Sequence, residues 1–149
     1  MDPQPEPLSY TGFLIRRAQQ RHVAAWQREV SPEVSSVQFG VMAVLARRPG
    51  ASQRELGDEL DLDRSTIADL VARLERRGIV QRERHLDDRR RNALELSPAG
   101  LRELERLRPH VDQVEHVLTD ALDPQERAEL RRLLGRVLGF APDALRVAG

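Results

Sequence analysis

The stretch SQRELGDELDLDRSTIADLVARLERRG, residues 52–78, decides the fold. It opens with SQREL, a capping box in which the Ser52 hydroxyl accepts from the backbone amide of Glu55 while the Glu55 carboxylate reaches back. A short helix is predicted from there to about Leu60. After DLD, Asp63 is placed to cap a second helix, RSTIADLVARLERR, because its carboxylate can accept amide protons left without partners in the first turn. Ile67, Leu70, Val71 and Leu74 fall at i, i+3, i+4 and i+7 and make one inward face. Gly78 then supplies the left-handed residue on which such a helix ends. The opposite face carries Arg64, Ser65, Ala68, Asp69, Ala72, Arg73 and Arg76, a mixture of cations and small hydrogen-bonding groups.

Two strand-like runs follow, IVQRERH at 79–85 and RNALELS at 91–97, with alternation clearest at Leu94 and Leu96. The LDDR between them reads as the turn of a hairpin. A short helix, a tight turn, an amphipathic helix and a two-stranded hairpin together spell a winged helix-turn-helix. In that arrangement the second helix enters the major groove. Arg64, Ser65 and Thr66 in its first turn, with Arg73 further along, are suited to base edges and phosphates.

Working outward, residues 1–8 read as a flexible arm and 9–30 as a helix with apolar residues at Phe13, Leu14, Ala18, Val23 and Trp26. SPEVSS is a loop, with Ser36 expected to cap VQFGVMAVLARR, a helix apolar almost all round and therefore buried. PG at 49–50 stops it. Downstream, Ser97 and Pro98 open a long helix whose Leu104, Leu107, Val111, Val114 and Leu118 alternate steps of three and four, a coiled-coil-like seam. Pro109 is expected to kink it. Asp123, Pro124 and Glu126 start a last helix that runs to about Gly139. The expected architecture is mainly α, one domain over 1–149. Its winged helix DNA-binding lobe lies at 36–97 and its dimerisation helices at 9–30 and 98–149.

Composition narrows the function. With 149 residues and five aromatics, the chain suits one packed helical domain. The absence of cysteine excludes disulfides, thiolate zinc sites and thiol redox switches. No run of 18 apolar residues occurs and MDPQPEPLSY is acidic and proline-rich, so no membrane partner and a cytoplasmic location are expected. The overall charge of zero hides a local imbalance: residues 64–91 hold nine Arg against five Asp and Glu. All 24 cations are arginine. No convergent acid, base and nucleophile is visible, since His85 lies in the wing and Ser65 and Thr66 have no neighbouring base, so neither catalysis nor a cofactor is expected. Asp112 and His116 share a face near His110. Two ligands with no third read as surface or interface residues rather than a metal site.

The run DRSTIADLVARLERRGIVQRERHLDDRRRNALELSPAG, residues 63–100, resembles the recognition helix and wing of the MarR family. The strongest matches are STI, LV, RLE and RG in the helix, DRR in the wing and LSPAG at the start of the long helix, and the likeness extends more loosely over nearly the whole chain. It implies a homodimer interlocked through the first, fifth and sixth helices, with two wings flanking a pseudo-palindromic double-stranded operator. It also implies small anionic or phenolic ligands bound between the dimer and DNA-binding lobes, weakening DNA binding. The family's Asp-x-Arg wing pattern falls on Asp88 and Arg90: the aspartate braces an arginine that enters the minor groove, leaving Arg89 and Arg91 for phosphates. Asp69 departs from the family's usual cation or neutral polar group. It either accepts from a cytosine amino group or pairs with Arg73 one turn on, the reading favoured here.

GFLIRRAQQRHVAAW, residues 12–26, is similar to the same region of MarR-type regulators of aromatic-acid catabolism. Arg16, Gln19, His22 and Trp26 follow one another at helical spacing. Arginine can hold a carboxylate bidentately, histidine can bond a phenolic hydroxyl and tryptophan can cover a ring. The implied effector is a small aromatic carboxylate or phenol. The other reading makes these groups part of a dimer interface, with Trp26 as core. For the whole protein the expectation is a ligand-responsive repressor. The alternative is a dimeric helical module that turns its basic tip toward an acidic protein partner.

Overall fold

The computed structural model describes residues 6–82 and 93–145. Its elements run α1 (Thr11–Glu29), α2 (Ser36–Arg47), α3 (Gln53–Leu60), α4 (Arg64–Arg76), β1 (Val80–Arg82), β2 (Leu94–Leu96), α5 (Pro98–Leu118) and α6 (Pro124–Val137). This is the order expected of a mainly α winged helix protein, with one two-stranded antiparallel sheet. The chain divides into two compact units, Met1–Val114 and Glu115–Gly149.

In the first unit, Met42 and Leu45 of α2, Leu56 of α3, Ile67, Val71 and Leu74 of α4 and Leu94 of β2 close into one buried cluster. Each such side chain contributes about 1.5–3 kcal/mol on burial, which is what holds three short helices in place. Leu70 packs against the cluster partly buried. The inward face of α4 is therefore the one its spacing predicts.

The helix starts show why local sequence sets the boundaries. Ser52 Oγ accepts from Glu55 N at 3.1 Å and Asp63 Oδ1 accepts from Thr66 N at 2.8 Å, both as expected. The Glu55 carboxylate, however, bonds Arg48 Nη2 at 2.9 Å instead of returning to its own cap. For α2 the cap is Ser35, not Ser36: Ser35 is extended at φ −73 and ψ 162, its Oγ accepts from Gln38 N, and the Gln38 side chain accepts from Ser35 N. The deciding signal is Gln38, which completes the S-x-x-Q box only when counted from Ser35. Helix α4 ends as predicted, with Gly78 at φ 71.

The strands pair Val80 with Leu96, Gln81 with Glu95 and Arg82 with Leu94. On its other side β2 meets the segment after α2: Gly50 N donates to Leu94 O at 2.8 Å and Leu94 N to Ala51 O at 2.9 Å. The root of the wing is thus seated on the connection between α2 and α3. The LDDR turn lies outside the described residues.

Helix α5 runs unbroken past Pro109. Its Leu104 and Leu107 belong to the chain's own core cluster. The first half of the seam expected to face a partner is therefore used inside the chain, because a three-four spacing of leucines is the same pattern for both kinds of burial.

In the second unit, Asp123 caps α6 with a complete box to Glu126, and Pro124 occupies the first helical turn. Gly139 at φ 76 ends the helix, with Phe140 N donating to Gly135 O. Leu130, Leu133, Leu134 and Val137 are exposed along α6.

Candidate nucleic-acid interface

The first turn of α4 is built around Asp63. Its Oδ1 accepts from Thr66 N and also from the Ser65 hydroxyl, both at 2.8 Å. The Thr66 amide first, and then the Ser65 hydroxyl, hold the Asp63 carboxyl below its usual value. The cap therefore fixes the backbone and orients one side chain of the proposed reading face. Arg64, Ser65, Ala68, Asp69, Arg73 and Arg76 are exposed, while Thr66 and Ala72 are half-buried. Among the described residues Asp69 and Arg73 form no ion pair with each other, contrary to the pairing expected from their spacing. Both are exposed, and an exposed pair one turn apart gains only about 0.3–0.5 kcal/mol, so little is lost when it is not made.

The wing is keyed to this helix by a contact that sequence reasoning missed. Arg82 Nη2 donates to Glu75 Oε1 at 3.0 Å and to Gln53 Oε1 at 3.1 Å, joining β1 to the last turn of α4 and the first of α3. Gln81 and Glu95 bond across the strands at 2.8 Å. Behind them, Ser97 ties the return strand to the turn: its Oγ donates to Gly78 O, its amide donates to Ile79 O at 2.9 Å, and it caps α5 by accepting from Gly100 N at 3.0 Å. The root of the hairpin is thus tied to α3, α4 and α5. Asp88, Arg89, Arg90 and Arg91, the proposed wing contacts, lie outside the described residues.

On α1, Arg16 and Gln19 are exposed and His22 is half-buried. The rings of His22 and Trp26 lie 6.0 Å apart. Trp26 is only 6% exposed, its Nε1 donates to Val34 O at 2.6 Å, and it meets Phe39 edge-on. Its indole is held from the core side, and its only polar hydrogen is already used.

A shallow groove between α2 and α3 is lined by Arg47, Arg48, Glu55, Asp58 and Glu59. Arg48 bonds both Glu55 and Glu59, and Arg47 pairs with Glu59, so four of its five charges are engaged with one another. Among the described residues no group of three or more His, Asp and Glu is placed to hold a metal, and no helix is long and apolar enough to cross a membrane.

A sequence profile described as the MarR family matches residues 33–91. The HTH-type transcriptional repressor NicR of Pseudomonas putida is 32% identical over 128 residues, covering 85% of this chain and 81% of NicR. Among solved structures, the PcaV transcriptional regulator of Streptomyces coelicolor in complex with its natural ligand superposes with a TM-score of 0.84 at 37% identity, covering 93% of this chain and 98% of PcaV. BpsR of Bordetella bronchiseptica, whose DNA binding is regulated by 6-hydroxynicotinic acid, superposes with a TM-score of 0.80 at 29% identity, covering 91% of this chain and 99% of BpsR.

Proposed function

This chain belongs to the MarR family of DNA-binding transcriptional regulators, and from that premise we propose that it is a homodimeric repressor released from a palindromic operator by a small aromatic carboxylate or phenol. One observation carries the reading. The outward face of α4 offers Arg64, Ser65, Arg73 and Arg76 to solvent on a helix whose start is fixed by Asp63 and whose end is locked to the wing root by Arg82. A capped cationic helix bonded at its end to the root of the hairpin meets the geometric demand of major-groove docking.

In this reading Arg64, Ser65 and Thr66 meet the bases and nearby phosphates, and Arg73 grips the backbone. Arg90 enters the minor groove, braced by Asp88, while Arg89 and Arg91 hold phosphates. Two copies sit on half-sites about 34 Å apart. The dimer itself is supported by apolar residues left in solvent: Leu14, Ile15 and Val23 on α1, and Leu130, Leu133, Leu134 and Val137 on α6. On α6 these follow at i, i+3, i+4 and i+7, a stripe that a monomer leaves wet at a cost.

The effector reading rests on Arg16, Gln19 and His22, with Trp26 as a wall behind them. It draws support from BpsR, which answers to an aromatic acid. Footprinting tests the whole: a protected palindrome of two half-sites that weakens on addition of a hydroxybenzoate is the expected result. Smeared protection at every sequence would return the protein to the alternative, a helical module for an acidic partner.

A further inference from the structure

Glu33 and Val34 are consecutive residues in the loop between α1 and α2, and their carbonyls are taken by two different elements. Trp26 of α1 donates Nε1–H to Val34 O at 2.6 Å, with both residues buried. Arg77, the residue that closes α4, donates Nη1 to Glu33 O at 3.3 Å and places Nη2 3.8 Å from Glu33 Oε2. Two consecutive peptide units, Glu33–Val34 and Val34–Ser35, therefore link the core side of the α1 stripe to the end of α4. Neighbouring charges favour the same arrangement. The Glu103 carboxyl on α5 is held below its usual value chiefly by its hydrogen bond to Arg106, with Arg77 adding attraction.

The two contacts differ in character. Trp26 is gripped on one edge by Phe39, ring centres 5.8 Å apart, and its indole N–H has a charge-free, buried acceptor. Such a bond is costly to leave unmade, since a stranded donor or acceptor forfeits about 1–3 kcal/mol of solvation. Arg77 is exposed, and its link is a charge-assisted bond to the Glu33 carbonyl with the Glu33 carboxylate nearby on the same guanidinium. The inner joint is buried and the outer one faces solvent.

We propose that Arg77 and Trp26 are the two ends of a tether running through the backbone of Glu33 and Val34, so that the end of α4 and the indole of Trp26 move together. The proposal rests on α4 being the element that seats on DNA. Seating shifts α4, Arg77 carries Glu33 with it, and the Val34 carbonyl moves against the Trp26 indole. By linkage the converse holds: whatever displaces Trp26 biases α4. Trp26 is then a positioning residue that joins α1 to the end of α4, rather than a ring laid open for stacking.

Trp26 is the sole tryptophan of the chain, so its emission reports on the tether directly. The full-length protein is titrated with a duplex that it has selected from a random pool, with anisotropy of the labelled duplex following binding and Trp26 emission read in parallel. In the wild type the emission changes at saturation. Arg77→Met, which keeps the aliphatic stem and loses the guanidinium donors, saturates with duplex but loses most of that change. Glu33→Gln removes only the long carboxylate contact, keeps the carbonyl bond, and retains most of it. Both signals are read at saturation, so weakened affinity does not imitate lost coupling. An unchanged emission in the wild type, or a full change in Arg77→Met, overturns the tether. A protein that selects no duplex shows no anisotropy change, and that result removes the DNA-seating premise and the tether with it.

Discussion

Gly100 packs its bare Cα against the carbonyl of Ile79, so that a β-carbon at position 100 would overlap the oxygen. The same carbonyl accepts from Ser97 N, which makes this contact the joint between wing root and α5. Alanine is the better helix former, worth about 0.8–1.0 kcal/mol over glycine in a helix interior. The clash is larger, because backbone is the obstacle and cannot swing aside. Gly100→Ala is expected to lose about 1–3 kcal/mol, the range for overpacked sites. Urea unfolding of the two proteins measures it, and equal midpoints would show that the joint yields.

The Arg82–Glu75 contact separates geometry from charge. Glu75→Gln removes a negative charge close to the proposed DNA face, which by electrostatics alone strengthens binding. It also weakens the bond that sets the wing root against α4. If orientation governs affinity, operator binding falls by about fivefold, the equivalent of about 1 kcal/mol. Stability stays near that of the wild type, because the pair is partly solvated. Tighter binding by Glu75→Gln would leave the contact with no positioning role.

Why some of this was legible in the sequence and some not follows from the range of each interaction. The caps at Ser52, Asp63 and Asp123, the left-handed Gly78 and the inward face of α4 are set within four residues, so spacing revealed them. The choice of Ser35 over Ser36 was equally local and turned on Gln38. Arg82 with Glu75 and Gln53, the pairing of Ala51 with Leu94, and Arg77 with Glu33 join residues that only the folded chain brings together. No periodicity encodes them. The α5 leucines lie between these cases: their burial was readable, but whether their partner was the chain itself was not.

The cap of the recognition helix makes its stability acid-sensitive. The Asp63 carboxyl is held below its usual value of 3.8, first by the Thr66 amide. Asp123 is lowered likewise, first by the Glu126 amide, and Glu103 and Glu129 first by their arginine partners. A depressed folded value means that the stabilisation is complete above the unfolded value and is lost as pH falls through the folded one. The melting temperature is therefore expected to decline below about pH 4.5, with asparagine at position 63 removing part of the decline. Asn caps a helix as well as Asp but does not titrate. Thermal melts of wild type and Asp63→Asn at descending pH measure the difference, and parallel curves would assign the acid loss elsewhere.

Arg16 is the test of the effector reading. At a hundredfold excess over its dissociation constant, a ligand that binds only the folded protein stabilises it by about 2.7 kcal/mol, a clear rise in melting temperature. A screen of benzoate and the hydroxybenzoates is expected to find such a rise in the wild type. Arg16→Ala abolishes it, while operator affinity stays within about twofold because Arg16 is an exposed residue on α1. Equal loss of DNA binding would make Arg16 part of the dimer interface instead.

The wing supplies the test in which charge and mechanism point in opposite directions. If Arg90 occupies a narrow minor groove, Arg90→Ala costs about 1–3 kcal/mol and relaxes sequence preference at that position. Replacing Arg89 or Arg91 weakens all sequences alike and lowers the salt slope by about one unit each. Asp88→Ala discriminates most sharply. Removing the carboxylate makes the tip more positive, so a purely electrostatic wing binds any duplex more tightly. A braced wing instead loses the restraint on Arg90, and operator affinity drops while non-specific affinity rises. Measuring both on one protein, at matched salt, reads the two effects separately. If operator and non-specific binding strengthen together, Asp88 braces nothing and the role given to Arg90 falls with it.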